Sequence, residues 1–294
     1  MSDHTDGLSN AAAGAVARVD VDFTELARLA VEVAEKAGAH IRRHTPERVE
    51  VAATKSTPTD VVTAMDRDVE TLIKGWVQQS RPDDGFFGEE SGDHSRGELT
   101  WIVDPIDGTA NYLYGIDQYA VSVAVGSRSS DESGWTMLAG AVHHVRAEKT
   151  WWAAKGHGAW QDNTRLRIGP PPGLSMSLVG TGFGYDPARR AHQARVLVEV
   201  LPQIRDIRRI GSAALDLCRV AQGQLDALYE QGLGLWDYAA GGLIVEEAGG
   251  VVRGLANGAP SPIMVIAGAS GTVTALDEIL IDAQAGEIPD ASPS

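Results

Sequence analysis

The sequence predicts an α/β protein with a layered architecture, in which an α+β half is followed by an α/β half. Three observations indicate this class. The chain opens with two stretches of helical periodicity, continues with short apolar runs typical of strands, and then alternates strand-like with helix-like segments. Alternation of this kind is typical of helices packed on the faces of a sheet.

The N-terminal half is predicted to contain two helices and then several strands. Apolar residues recur at helical spacing over 23–43 and again over 59–79, so each stretch is expected to form an amphipathic helix. Apolar runs then predict strands at 101–103, 120–125, 137–145 and 150–154.

The C-terminal half is predicted to alternate strands with helices, as expected for helices packed on a sheet. Strands are expected at 177–180, 206–210, 225–229 and 264–267. Helices are expected at 187–201, 212–222, 237–248 and 272–283.

A proline-rich stretch at 169–173 is the natural boundary between the two halves. We therefore expect an N-terminal half at 20–168 and a C-terminal half at 174–284. The segments 1–19 and 285–294 are rich in small and polar residues, and we expect them to be flexible tails.

The charge of the chain argues against several classes of partner. Acidic residues number 40 against 25 Lys and Arg, giving a formal net charge of −15. Such a surface repels nucleic acids and anionic membranes, so neither is expected as a partner. No apolar run reaches the ~18 residues of a membrane helix. Because the N-terminus also lacks the pattern of a secretory signal, the cytoplasm is the expected location.

The most informative segment for chemistry is 101–109, where an apolar strand ends in two carboxylates. Pro105 holds Asp104 extended, Asp107 follows three residues after Asp104, and Gly108 allows a tight turn. Carboxylates and carbonyls in this arrangement suit Mg²⁺, and the first N–H groups of a following helix suit a phosphate. Taken alone, an Asp-Pro segment is more often a turn followed by a helix N-cap.

Other acidic residues lie at comparable positions elsewhere in the chain. Glu89 and Glu90 follow an aromatic pair, Glu230 ends a predicted strand, and Asp237 opens a predicted helix. Taken singly, Glu89 and Glu90 are interpreted as a solvated charge pair, Glu230 as an exposed acid, and Asp237 as a helix N-cap. If they met in one cleft, the carboxylates would raise one another's pKa, and divalent cations would offset the repulsion and attract a phosphate.

Five segments, taken in order, resemble the inositol monophosphatase family from about residue 23 to about residue 283: 55–66, 88–91, 104–109, 209–214 and 236–241. The resemblance implies a layered αβαβα sandwich of the sugar-phosphatase type and a homodimer. It also implies a lithium-sensitive enzyme with two or three Mg²⁺ ions. Such an enzyme would hydrolyse myo-inositol 1-phosphate with a metal-activated water.

The resemblance also implies roles for individual residues, most of the metal ligands lying in the N-terminal half. Metal ligands would be Glu89, Asp104, the Ile106 carbonyl, Asp107 and Asp237. Thr109 with Asp66 would orient and activate the water, and Glu90 would be an outer acid. The substrate would contact Glu89, Ile106, Asp107, Gly108, Thr109, Gly211, Ser212, Ala213, Glu230 and Asp237. Lys55 would support the site from a mobile loop.

Two alternatives to inositol phosphate hydrolysis stay open at this point. The same chemistry could act on histidinol phosphate, fructose 1,6-bisphosphate or a nucleotide phosphate, since these relatives share the metal motifs. Residues 211–213 and Glu230 favour inositol phosphate. The second alternative is a non-catalytic binding role on the same fold.

The basic residues Arg205, Arg208 and Arg209 are interpreted as an ordinary solvated or interface strand.

Overall fold

The computed structural model describes residues 21–47, 49–55, 61–129 and 134–287. The expected tail at 1–19 and most of the expected tail at 285–294 lie outside these residues. Ala285 itself is buried, and its carbonyl accepts a hydrogen bond from Gln231 Nε2 at 3.1 Å. The packed chain therefore continues past the predicted start of the C-terminal tail.

The first half of the described chain contains three helices and ten strands. The helices are Phe23–His44 (α1), Ala64–Ser80 (α2) and Thr109–Tyr114 (α3). The strands are Val51–Thr54 (β1), Val61–Thr63 (β2), Gly85–Gly88 (β3), Gly92–His94 (β4), Thr100–Asp107 (β5), Ala120–Arg128 (β6), Trp135–His144 (β7), Lys149–Ala154 (β8), Gly158–Gln161 (β9) and Thr164–Arg165 (β10).

The second half alternates strands with helices, as the sequence predicts. The strands are Leu178–Thr181 (β11), Asp206–Arg208 (β12), Ala227–Glu230 (β13), Val251–Arg253 (β14) and Val265–Gly268 (β15). The helices are Pro187–Val200 (α4), Ala213–Gln222 (α5), Leu235–Glu247 (α6) and Ser270–Asp282 (α7). Among the described residues, no helix has both the length and the apolar character needed to cross a bilayer.

Two large sheets organise the molecule. The first has eight strands in the order β10-β9-β8-β7-β6-β5-β3-β4, and only the β3–β5 pair is parallel. The second has five strands in the order β12-β11-β13-β15-β14, with β11 parallel to both of its neighbours. Strand β15 runs antiparallel to β13 and β14. A separate β1–β2 hairpin precedes α2.

The apolar cores show how these sheets and helices are layered. Helices α1 and α2 pack on one face of the eight-stranded sheet. Helices α5 and α6 fill the space between the two sheets, and α4 and α7 pack on the outer face of the five-stranded sheet. Each fully buried aliphatic side chain in these layers contributes about 1.5–3 kcal/mol. The predicted layered αβαβα sandwich is confirmed.

Three predicted helix starts are off by two residues or more. Helix α7 begins at Ser270 rather than at 272, and local contacts explain the other two. Helix α2 begins at Ala64 rather than at 59, because Val61–Thr63 pairs as a strand and Thr63 then caps the helix. Helix α6 begins before Asp237, which is therefore not its N-cap. The Asp237 carboxylate instead accepts a hydrogen bond from Gly234 N, at the true start of the helix, at 2.6 Å. Strand β3 was not predicted, because its four residues begin and end with glycine and its position depends on pairing with β5.

Candidate active site

Three carboxylates from two distant parts of the chain meet where β5 ends and α6 begins. Asp104 and Asp107 lie at the carboxyl end of β5, and Asp237 lies in the first turn of α6. One carboxylate oxygen from each lies within 4.8 Å of those from the other two. Asp104 and Asp107 are 1% and 7% exposed, so these charges are largely removed from water. Such a group of hard oxygen donors fits a divalent cation.

The end of β5 is shaped by its own backbone. The Asp104 carboxylate accepts a hydrogen bond from Ile106 N at 2.9 Å, and the pairing of β5 with β6 is irregular between Asp104 and Asp107. Gly108 then adopts φ +96°, and a Cβ there would lie 3.0 Å from the carbonyl oxygens of Gln118 and Gly211. A glycine is therefore required at this turn, which directs the chain into α3.

Asp107 connects strand β5 to the other half of the molecule. Its Oδ2 accepts hydrogen bonds from Ser212 Oγ at 2.6 Å and from Ala214 N at 2.7 Å. Ser212 is the N-cap of α5 and also accepts from Leu215 N. The start of α5 thus fixes the position of Asp107, and its N-terminal dipole suits the negative charge.

Glu89 and Glu90 follow β3 and share one cationic partner. Lys55 Nζ lies 2.7 Å from Glu89 Oε1 and 2.6 Å from Glu90 Oε1. Repulsion from Glu89 contributes to the raised pKa of Asp104, so the two carboxyl groups lie near each other. A bound cation would offset that repulsion.

The side chains of Thr109 and Asp66 form a hydrogen-bonded pair beside this donor set. Thr109 Oγ1 lies 3.1 Å from Asp66 Oδ1 and 3.0 Å from the Ile106 carbonyl oxygen. Asp66 is fixed in turn by hydrogen bonds from the backbone and side chain of Thr63. Because the Thr109 hydroxyl donates its single proton to these acceptors, its lone pairs can accept a hydrogen bond from a water.

The electrostatics of the carboxylates also favour a cation. Burial is the main cause that raises the pKa values of Asp104 and Asp237 well above their usual range, and repulsion from neighbouring carboxylates adds to this rise. Burial also raises the pKa of Asp107 to about 6 and that of Glu89 to about 7. A divalent cation among these groups would favour their charged forms, because an opposite charge lowers the pKa of a carboxyl group.

The site opens into a cavity of about 680 Å³, a size typical of small-ligand pockets. Predicted site residues that line it are Lys55, Glu89, Asp104, Ile106, Asp107, Gly108, Thr109, Gly211, Ala213, Glu230 and Asp237. Three predicted site residues do not line the cavity: Asp66, Glu90 and Ser212. Each of them contacts a residue that does line it, namely Thr109, Lys55 and Asp107 respectively. Ser212 in particular has its hydroxyl on Asp107 rather than facing a ligand.

Glu230 forms part of the cavity wall at the end of β13. Its carboxyl group lies against the bare backbone of Gly182, where a Cβ would approach it to within 1.7 Å. Burial raises the pKa of Glu230 to about 8, and the negative charge of Asp216 adds to that effect. Near neutral pH this side chain is therefore mostly protonated, and it can both donate to and accept from a ligand hydroxyl.

Three charged residues near the site were not predicted from the sequence. Arg189 and Arg209 line the cavity, and Arg209 is exposed as predicted but follows β12 rather than lying in it. Glu70 lies behind the turn that follows β3, is 4% exposed, and accepts hydrogen bonds from Glu90 N and Ser91 N, both at 2.8 Å. A signal for Glu70 existed, since Asp66 and Glu70 place two acids on the apolar face of one helix.

We expect Glu70→Gln to weaken Mg²⁺ binding by about 10-fold or more, as replacing the partners that orient metal ligands typically does. The glutamine can accept only one of the two N–H bonds, because its NH₂ group would face the other donor. The turn that carries Glu89 would then lose its fixed position. Isothermal titration with Mg²⁺ measures the change, and Asp68→Asn on the exposed face of α2 is the matched control. Unchanged affinity in a folded Glu70→Gln protein would contradict the prediction.

Comparisons with known proteins agree with this geometry. Residues 22–287 match the inositol monophosphatase family. The inositol-1-monophosphatase SuhB of Mycobacterium tuberculosis is 41% identical over 90% of this chain and 94% of that protein. The Nus factor SuhB of Vibrio cholerae is 34% identical over 78% of this chain and 85% of that protein. The crystal structure of the extragenic suppressor protein suhB from Bartonella henselae superposes with a TM-score of 0.80, at 32% identity, covering 87% and 98% of the two chains.

Proposed function

This chain belongs to the inositol monophosphatase family, and on that premise we propose that it hydrolyses myo-inositol 1-phosphate to inositol and phosphate with Mg²⁺ as cofactor. The observation that supports this proposal most directly is the meeting of three carboxylates within 4.8 Å beside a ligand-sized cavity. One Mg²⁺ would be held by Glu89, Asp104 and the Ile106 carbonyl. A second would be held by Asp104, Asp107 and Asp237, and a third, weaker ion would bind near Glu89.

When bound, the ions would supply positive charge for the phosphate and lower the pKa of a water molecule. The chain's own residues would orient that water. The Thr109 hydroxyl would accept a hydrogen bond from it, while the Thr109–Asp66 contact at 3.1 Å fixes the direction of the hydroxyl. Gly108 and Thr109 stand at the start of α3, where backbone N–H groups lack helical partners and suit phosphate oxygens.

The alcohol part of the substrate would lie against the wall formed by Gly211, Ala213 and Glu230, with Asp237 also in contact. A mostly protonated Glu230 suits a polyol, because it can donate to one hydroxyl and accept from another. Lys55 would hold Glu89 and Glu90 together through its two ion pairs. We also propose that the protein is a homodimer in the cytoplasm.

The test is a panel of phosphate esters compared by kcat/KM with and without Mg²⁺, since substrate discrimination is a ratio of these values. We expect kcat/KM for inositol 1-phosphate to exceed that for histidinol phosphate and for AMP by about 10-fold or more. Chelation should abolish phosphate release, Mg²⁺ should restore it, and Li⁺ should inhibit it. A higher value for histidinol phosphate or AMP, or activity unaffected by chelation, would contradict the proposal.

A binding role is the second candidate, because two of the relatives are named Nus factors. A protein that only binds a partner would have no need of the buried donor set, whose repulsion is unfavourable for folding. We therefore propose catalysis as the main function. A variant without phosphatase activity that still performs the cellular task would favour the binding role instead.

A further inference from the structure

The side chain of Asn111 connects the two halves of the molecule behind the cavity. Asn111 lies in α3, two residues after Thr109, and is 9% exposed. Its Nδ2 donates to the Gln118 carbonyl oxygen at 2.7 Å and to the Ile210 carbonyl oxygen at 2.9 Å. Because both partners are carbonyl oxygens, they take the two hydrogens of the amide NH₂ group. Asn111 itself does not line the cavity.

The backbones that Asn111 holds enclose the turn at Gly108. A Cβ on Gly108 would lie 3.0 Å from the carbonyl oxygens of both Gln118 and Gly211. A Cβ on Gly211 would lie 2.8 Å from Asn111 Nδ2. The two glycines adopt φ +96° and φ +99°, so both turns use the left-handed region that favours glycine. The Asn111 amide therefore packs where the two turns touch each other.

The two turns have different tasks in the proposed reaction. Both Gly108 and Gly211 line the cavity. The Gly108 turn would present N–H groups to the phosphate, and the Gly211 turn would contact the alcohol part of the substrate. Because the bond that breaks joins the phosphate to the alcohol oxygen, the rate depends on how these turns are placed relative to each other. A misplacement of about 1 Å lowers a rate by about 100-fold.

Other contacts across the same boundary act on different groups. Ser212 Oγ and Ala214 N hold the Asp107 carboxylate, and the Arg219 guanidinium donates to the side-chain oxygen of Gln118. Those contacts fix a carboxylate and a side chain. Asn111 instead fixes the backbone beside each of the two turns.

We propose that Asn111 is a positioning residue that sets the distance between the phosphate-binding turn at Gly108 and the alcohol-binding turn at Gly211. It acts through the two backbones that it joins, without touching the substrate. This inference rests on the proposed phosphatase function. It adds a residue outside the cavity to those on which that function depends.

The test measures kcat and KM with Mg²⁺ for two esters, inositol 1-phosphate and phenyl phosphate, in each protein. The alcohol part of phenyl phosphate has no further hydroxyl groups, so its hydrolysis depends less on contacts with the Gly211 turn. The ratio of the two kcat/KM values does not depend on the fraction of the protein that is folded. A variant that only lowers stability therefore leaves this ratio unchanged.

Asn111→Leu keeps a side chain of similar size but has no donor. Its kcat should fall about 100-fold for inositol 1-phosphate and about 10-fold or less for phenyl phosphate, with little change in either KM. Asn111→Ala removes the amide without adding bulk, and it should give the same change in the ratio if the leucine variant does not fold. Asn111→Gln keeps both N–H donors on a longer side chain and should recover part of the loss.

Asn163→Leu makes the same substitution at an exposed turn and is the matched control, which should retain both kcat values. An equal loss for the two esters in folded Asn111→Leu and Asn111→Ala would overturn the proposal, because it would assign Asn111 to folding alone. A loss confined to KM, or unchanged kinetics, would overturn it as well. Failure of the phosphatase proposal is a separate result, since the unmodified protein would then release no phosphate from inositol 1-phosphate with Mg²⁺.

Discussion

Replacing Asp104 by asparagine is expected to lower kcat/KM for phosphate release by at least about 10³-fold. Asp104 would be shared by both proposed ions, and it lies within reach of Glu89, Asp107 and Asp237. An asparagine keeps the shape of the side chain but supplies no negative charge. Both ions would lose a ligand together, so Mg²⁺ affinity measured by calorimetry should fall with the activity.

The same variant should remain folded, which separates a lost ligand from a lost structure. Because burial and neighbouring carboxylates hold the pKa of Asp104 well above its usual range, the charged form is unfavourable in the folded protein. In EDTA near pH 8, Asp104→Asn should therefore melt at a higher temperature than the unmodified protein. Asp117→Asn, at an exposed ion pair with Arg146, is the control that should retain activity. Full activity or unchanged Mg²⁺ affinity in Asp104→Asn would refute the assignment of the metal ligands.

Local periodicity predicts much of this fold, because amphipathic elements bury one face. Helix α1 extends over Phe23–His44 where apolar spacing predicts 23–43, and β6 and β8 lie where apolar runs predict strands. Elements without such a pattern were missed. Strand β3, Gly85–Gly88, has glycine at both ends, and its position depends on pairing with β5 and β4 rather than on its own residues.

The meeting of the carboxylates could not be deduced from spacing alone. Asp104 and Asp107 are neighbours in one strand, but Asp237 reaches them only because α6 packs between the two sheets. The family resemblance supplied that juxtaposition. Arg189 carries no local motif, and only the fold shows that it lines the cavity. Glu70 shares the buried face of α2 with Asp66, but only the fold shows that it accepts hydrogen bonds from Glu90 N and Ser91 N.

Removing Mg²⁺ is expected to lower the thermal stability of the protein, and the loss should grow as the pH rises from 6.5 to 8. In the unfolded chain the carboxyl groups titrate near pH 4. In the folded chain without cations, burial raises the pKa of Asp107 to about 6 and of Glu89 to about 7, and it raises those of Asp104 and Asp237 well above their usual range. The folded state therefore binds more protons than the unfolded state, and its stability falls as these groups lose them.

Saturating Mg²⁺ should reverse this loss, because an ion that binds only the folded state adds about 2.7 kcal/mol at 100 times its dissociation constant. The difference in melting temperature between Mg²⁺ and EDTA should be larger at pH 8 than at pH 6.5.

Lower pH values would be less informative, since burial lowers the pKa of His143 to about 4, and that group destabilises the fold as pH falls below 6.5. Asp216 and Glu230, with raised pKa values of about 7 and about 8, titrate in the same range but are not proposed ligands. Comparing the two curves therefore isolates the groups that hold the ions. A difference that stays constant with pH, or one that persists in Asp104→Asn, would show that Mg²⁺ stabilises the protein from another site.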